Sequence, residues 1–317
     1  VLLRARRTGR SLEDPSPMTT DVQPAAEKTT PVYSYEAGQR NGNWRRHWTE
    51  LHKFRYLLRN LVSRDLKARY KNSVLGILWS VLNPLFLMAV FTVLFTVLAN
   101  NEIRQYPIFV LVGLIPWNFF SGSLTSGTTS VTNNSSLIKK VYFPRELLPT
   151  SALLSNLVNF LFAFAVLIVF LFAFDIGLTI HALWVPLILL TQLIFTLGLC
   201  LLLGSLTVLY RDVLMILEVV LLAWFFLTPV FYSLEMFGDT ATLFGVTFDP
   251  AQLMRWINPM ASIIDGYRTV LWGTYESAGP AAMNPAYLLR TFVTSVIVLV
   301  FGYAIFLRLS PLFGEKL

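Results

Sequence analysis

Few side chains in this 317-residue sequence have the type and spacing for covalent or metal chemistry. The histidines are His47, His52 and His181, and the single cysteine, Cys200, sits inside an apolar run. They make up no metal-ligand set and the lone cysteine is remote, so no zinc or haem site is expected. There is no GxxxxGK[ST] phosphate loop, which excludes ATP hydrolysis by that route. A membrane transferase needs clustered carboxylates to hold a metal and handle protons. Within the apolar segments the acidic residues amount to Glu218, close to a segment end, where reaching back to the interface is the cheaper explanation. NNSS at Asn133 matches a glycosylation acceptor, but it falls on the inner side and is read as a chance match.

What remains is cationic. The stretch SSLIKKVYFPRELLP, Ser135 to Pro149, sets Lys139, Lys140 and Arg145 beside aromatics and two prolines, in a region otherwise almost free of charge. A basic cytoplasmic loop accounts for the charges but not for Tyr142, Phe143, Pro144 and Pro149.

The elements that must position these residues belong to a membrane protein. Hydrophobic residues make up 55% of the chain and charged residues 14%, with a mean hydropathy of +0.60, too apolar for a soluble domain with a charged shell. The net charge of +7 is concentrated in the first 72 positions and a few short loops, a pattern that fits an anionic membrane face rather than nucleic acid. Membrane-length apolar runs occur at Leu75–Leu98, Pro107–Ser130, Thr150–Phe174, Leu183–Leu209, Val213–Phe231 and Tyr287–Leu307. The second run ends in SGSLTSGTTS, small and polar, which suits contact with another helix or a wet cavity. With six spans both ends share one side, and that side carries 21 of the 25 Lys and Arg residues. Only Arg104, Arg255, Arg268 and Arg290 fall on the other, so both termini are expected in the cytoplasm.

Residues 1–48 lack an apolar period and read as a flexible arm; the first methionine is Met18, and no apolar core follows the early arginines, so no cleaved signal is expected. From Thr49 to Asn72, Leu51, Phe54, Leu57, Leu58, Leu61, Val62 and Leu66 recur at helical spacing among basic residues. This is a basic amphipathic helix on the cytoplasmic membrane surface. Residues 73–317 form the membrane domain, with a long outer segment, 232–286. Its pieces Thr242–Phe248 and Ser262–Tyr275 are too short to cross and read as helices that dip back into the membrane.

Aromatics gather at helix ends in WNFFSG, AWFFLTPVFYS and RWINPM. Interfacial belts explain most of them. Together they also fit a pore lined by flat apolar faces, on which the C–H faces of sugar rings rest. Candidates for that lining are Trp79, Trp117, Phe119, Phe120, Trp224, Phe225, Phe226, Phe231 and Tyr232.

The run SRDLKARYKNSVLGILWSVLNPL, followed by GLIPWNFFSGS, NSSLIKKVYFPRELLP and LYRDV in that order, resembles the membrane permease of polysaccharide-exporting ABC transporters, the Wzm-like and TarG-like proteins of the type-2 exporter class. The likeness covers Thr49 to Leu317. It implies an all-α membrane protein with six transmembrane helices per protomer, an N-terminal interface helix and short re-entrant outer gate helices. It also implies a homodimer resting on two separate ATP-binding subunits, which hold the ATP and magnesium, and no cofactor in this chain. Residues 133–149 become a coupling loop: Lys139, Lys140 and Arg145 meet acidic groups of the ATPase, Val141, Tyr142 and Phe143 anchor, and Pro144 stiffens, with Glu146 beside them. Arg211 and Asp212 of LYRDV become a second inner contact. The outer gate candidates are Arg255, Trp256, Asp265, Tyr267 and Arg268. The implied substrate is a glycan on undecaprenyl diphosphate, an O-antigen, a teichoic acid or a galactan, with Arg64, Lys67, Arg69 and Lys71 placed to receive either the diphosphate or ordinary lipid headgroups. The rival readings are the same fold exporting a drug or lipid, an intramembrane enzyme building lipid-linked sugars, and a structural scaffold.

Overall fold

The computed structural model describes residues 54–98, 103–234, 241–243, 246–274, 277 and 279–317. The expected arm, residues 1–48, and the first residues of the amphipathic segment lie outside them. Eleven helices are seen among the described residues: α1 Arg55–Tyr70, α2 Trp79–Thr92, α3 Tyr106–Thr129, α4 Ser135–Lys140, α5 Leu147–Ala173, α6 Val185–Leu209, α7 Val213–Phe226, α8 Pro250–Ile257, α9 Pro259–Leu271, α10 Pro285–Leu309 and α11 Phe313–Lys316. Short 3₁₀ or π turns extend several of them, so five continuous stretches reach membrane length: Gly76–Val97, Tyr106–Thr129, Leu147–Ala173, Ile180–Leu209 and Pro285–Lys316.

The expected fifth span, Val213–Phe231, is shorter as a helix. α7 has 14 residues, roughly 21 Å at about 1.5 Å per residue, less than the ~30 Å hydrocarbon core. It stops where Thr228 hydroxyl donates back to the Trp224 carbonyl at 2.7 Å and Pro229 follows. The outer segment also departs from expectation. Thr242–Phe248 is not a dipping helix: Ala241–Leu243 (β1) pairs antiparallel with Val246–Phe248 (β2), Thr242 opposite Thr247. Its threonines, valine and aromatic favour extended backbone. The second piece is helical, as α9.

Helices α8, α9 and α10 start the same way. Asp249, Asn258 and Asn284 each cap a helix with the side chain, accepting from the amides of Gln252, of Met260 and Ala261, and of Ala286 respectively, and each is followed by proline. The side chain satisfies an orphan N–H while proline occupies the first turn, where no N–H is needed.

α3 is the most enclosed of the long helices and forms the centre of the core. Its polar tail is used for helix contact: Ser126 hydroxyl takes a bond from Asn156 Nδ2 of α5 at 2.7 Å. Gln192 of α6 donates to the Pro116 carbonyl at 2.8 Å. α6 and α10 pack closest of all, where Gly198 faces Gly302; a Cβ on Gly198 would stand 2.7 Å from the backbone of Leu299. Small residues of this kind let membrane helices approach backbone to backbone.

Candidate functional site

The basic-aromatic loop is built on a second, smaller core at one end of the bundle. Leu61 of α1, Val131, Ile138, Phe143, Leu147, Leu148, Leu201, Val208, Phe306 and Phe313 form one buried cluster that joins α1, the loop, the starts and ends of α5, α6 and α10, and the carboxy-terminal helix. Within the loop the side chains divide. Val141 and Tyr142 are exposed, at 52% and 68%, and Lys139 and Lys140 are exposed beside them. Phe143 is 4% exposed and belongs to the core, so of the Val141, Tyr142 and Phe143 expected as an anchor only the first two present their side chains at the surface. Arg145 likewise turns inward: it donates to the Ser310 carbonyl and its guanidinium carbon lies 5.8 Å from the ring centre of Phe313. Burial pulls its pKa below the ordinary arginine value, with Tyr142 opposing the shift, and the guanidinium stays charged. Glu146 is also buried, while Pro144 lies between the two inward residues. At the neighbouring turn Tyr210, Arg211 and Asp212 are all exposed. The outward surface of the loop, from Ile138 to Arg145, frames a hollow of about 250 Å³.

The four cations at the end of α1 have different settings. Arg64 pairs with its neighbour Asp65 at 2.9 Å on the exposed face, worth little in water. Lys67 and Lys71 are exposed. Arg69 Nη1 donates to Asn156 Oδ1 at 2.9 Å, and Tyr70 hydroxyl donates to Asn159 Oδ1 at 2.7 Å. Those two bonds hold α1 against α5 and border a cavity of about 380 Å³ between α1, α2, α3 and α5.

The aromatic candidates also separate. Trp117, Phe119 and Phe120 are buried in the protomer core at 5%, 3% and 0% exposure and offer no open surface in this conformation. They pack against α7, α5 and α6: Trp117 on Phe225 at 5.5 Å, Phe119 on Phe160 at 5.3 Å, Phe120 on Phe195 at 5.8 Å. Trp79 and Phe226 are exposed; Trp224, Phe225, Phe231 and Tyr232 are half-buried. Phe225, Phe226, Phe231 and Tyr232 are brought into one aromatic cluster with Phe91 and Phe95, and Phe91 stacks flat on Phe231 at 5.2 Å.

Of the outer gate candidates, Trp256 is exposed while Tyr267 and Arg268 are buried. Arg255 forms an ion pair with Asp265 at 2.9 Å across α8 and α9. Asn258, at the break between those helices, accepts from Trp224 Nε1 at 2.8 Å and donates to Thr228 Oγ1 at 2.9 Å, fastening α8 and α9 to the end of α7. All four arginines outside the basic side lie over aromatic rings: Arg104 on Trp272, Arg255 on Tyr287, Arg268 on Phe109 and Arg290 on Trp256. Stacking suits guanidinium, which is planar and weakly hydrated.

A helical membrane frame with a charged loop seated on its inner core is shared by many transporters, so relatives decide the family. The family model described as ABC-2 type transporter matches residues 56–272, more than half of the chain. The chain belongs to the ABC-2 type transporter family. Among curated proteins, this ABC-2 transporter chain is 37% identical over 268 residues to the O-antigen export system permease protein RfbA of Myxococcus xanthus, covering 84% of the chain and 98% of that protein. It is 31% identical over 265 residues to a protein of the same name from Klebsiella pneumoniae, covering 82% of the chain and 95% of that protein.

Several residues of this ABC-2 transporter chain were not singled out by type and spacing. Phe313 and Ser310, which hold Arg145, lie in a tail that reads as unremarkable sequence. The signal for the starts of α8, α9 and α10 was present, in the dipeptides Asp249–Pro250, Asn258–Pro259 and Asn284–Pro285. The asparagines Asn83, Asn118, Asn156 and Asn159 carried a signal too, as amides inside apolar runs.

Proposed function

We propose that this chain is the membrane permease subunit of an ABC exporter that moves a lipid-linked polysaccharide, such as an O-antigen, a teichoic acid or a galactan, across the bacterial inner membrane. The observation that carries this reading is the 37% identity to an O-antigen export permease over 84% of this chain and 98% of that protein. A separate ATPase binds ATP and magnesium and docks on the exposed side chains Lys139, Lys140, Val141 and Tyr142, with Arg211 and Asp212 as a second contact. Phe143, Arg145 and Phe313 join that surface to α1, α5, α6 and α10, so force applied to the loop reaches the bundle as a unit. Two copies make the channel: the exposed apolar faces of α2 (Phe86, Val90) and α7 (Ile216, Val219) supply surface for a second protomer. Six helical passages per copy, the sixth being the short α7, put both termini in the cytoplasm. α1 lies along the inner surface beside the ATPase, and α8 and α9 form a re-entrant outer gate.

Deleting the gene for the chain tests this: lipid-linked glycan should accumulate on the cytoplasmic face and disappear from the cell surface, with recovery on re-expression together with its ATPase. Surface glycan unchanged in the deletion strain, or turnover of lipid-linked sugars by the purified chain without any ATPase, overturns the reading.

A further inference from the structure

The cavity between α1, α2, α3 and α5 is bordered by the two bonds that hold α1 against α5, but those bonds do not use all of its amide groups. Its volume of about 380 Å³ falls at the lower end of the roughly 300–1,000 Å³ range of small-molecule sites. Asparagines reach it from three apolar helices: Asn83 from α2, Asn118 from α3, and Asn156 and Asn159 from α5. An amide set among apolar side chains is costly unless both its ends are bonded. Asn83 is exposed and raises no such cost, and packing explains a second of the four. Asn156 accepts from Arg69 and donates to Ser126 Oγ and the Ala152 carbonyl, so it is saturated. Asn159 accepts from Tyr70, and its Nδ2 has no protein acceptor among the described residues. The Nδ2 of Asn118 is fully buried and likewise lacks one.

We propose that this cavity binds a sugar ring, the monosaccharide joined directly to the diphosphate of the lipid-linked glycan. The inference rests on the substrate reading given above. An amide presents a donor and an acceptor side by side, which matches hydroxyls that are both; a phosphate only accepts and is served by cations. Arg69 is the cation of the lining and lies at the end of α1, so the diphosphate sits there while the asparagines face the ring. Trp79, half exposed, borders the same cavity and gives the apolar C–H face of a pyranose a surface to lie on.

The test uses the chain assembled with its ATPase in lipid nanodiscs, titrated with farnesyl diphosphate and with farnesyl diphosphate carrying N-acetylglucosamine, glucose or galactose. At least one sugar-bearing lipid should bind about tenfold more tightly than the bare diphosphate, as a pair of added hydrogen bonds provides. Asn118→Leu should bring that preference to about twofold or less and leave the bare diphosphate affinity unchanged; Asn159→Ala should also bring it to about twofold or less, and by freeing Tyr70 beside Arg69 should weaken the bare diphosphate as well. Because Asn118→Leu replaces an unpartnered amide with an apolar group, its melting temperature should hold or rise. Equal binding of all four lipids to the unaltered protein, or a preference that survives in both variants, overturns the sugar site and leaves the export reading standing. Binding of none of the lipids overturns the lipid-diphosphate reading and the sugar site with it.

Discussion

The guanidinium carbon of Arg145 lies 5.8 Å from the ring centre of Phe313, and the same arginine donates to the Ser310 carbonyl. The basic loop is therefore held from behind by the last turn of the chain. Phe313 is fully buried and meets Phe306 edge-on at 5.4 Å. Removing a ring buried this deeply costs about 3–5 kcal/mol, so Phe313→Ala should lower the melting temperature of the purified protein markedly, and Phe313→Leu should restore most of the loss. A melting temperature unchanged by Phe313→Ala would mean that the tail does not brace the loop.

Tyr142 and Phe143 are neighbours in sequence with opposite surroundings. Exposed substitutions usually shift stability by no more than about 0.5 kcal/mol. Tyr142→Ala should accordingly leave folding intact, while ATP hydrolysis by the assembled complex continues without export of glycan. Phe143→Ala should behave as a core deletion, with a lower melting temperature and lower yield. A complex in which Tyr142→Ala exports normally, measured as surface glycan per ATP hydrolysed, would remove Tyr142 from the docking surface.

How far the sequence could be read depended on whether the deciding contact was local. Apolar runs and basic loops are local properties, and five of the expected spans appear as helices of membrane length with ends shifted by a few residues. The aromatic-rich end of α3 was local too, but its burial was not: whether Trp117 and Phe120 line a channel or fill a core depends on α6 and α7, more than 70 residues away. The same holds for Phe143 and Arg145, whose inward turn is set by Phe313. Thr242–Phe248 failed for a different reason. A seven-residue apolar piece has no helical period to display, and its β-branched residues favour the hairpin.

Arg268 is 5% exposed, lies 3.6 Å from the ring centre of Phe109 and donates to the Val230 carbonyl at 3.0 Å. It ties α9 to the turn after α7. Hydrogen bonds from a charged donor contribute about 1.5–3 kcal/mol each, and a lysine reproduces neither the planar stacking nor the forked geometry. Arg268→Lys and Arg268→Ala should both destabilise the outer region, read as faster proteolysis between residues 232 and 286, with Lys recovering only part of the effect. Full recovery by lysine would reduce Arg268 to a simple positive charge.

Gly198 and Gly302 set the spacing of α6 and α10. A Cβ on Gly302 would fall inside the Gly198 carbonyl, and one on Gly198 would stand 2.7 Å from the Leu299 backbone. Neither neighbour is the end of a flexible side chain, so the helices themselves must move apart. Overpacking in a close-packed interior costs typically about 1–3 kcal/mol, and backbone-to-backbone overlap sits at the upper end of that range. Gly302→Ala should therefore reduce the melting temperature of the detergent-solubilised chain, and Gly302→Leu should abolish recovery of folded protein. Pro311, Leu312 and Phe313 follow α10 directly, so its displacement should also slacken the brace on Arg145, and Gly302→Ala should lose export at a higher residual ATPase rate than its loss of stability alone predicts. Parallel loss of the two activities in that variant would instead confine the α6–α10 contact to folding.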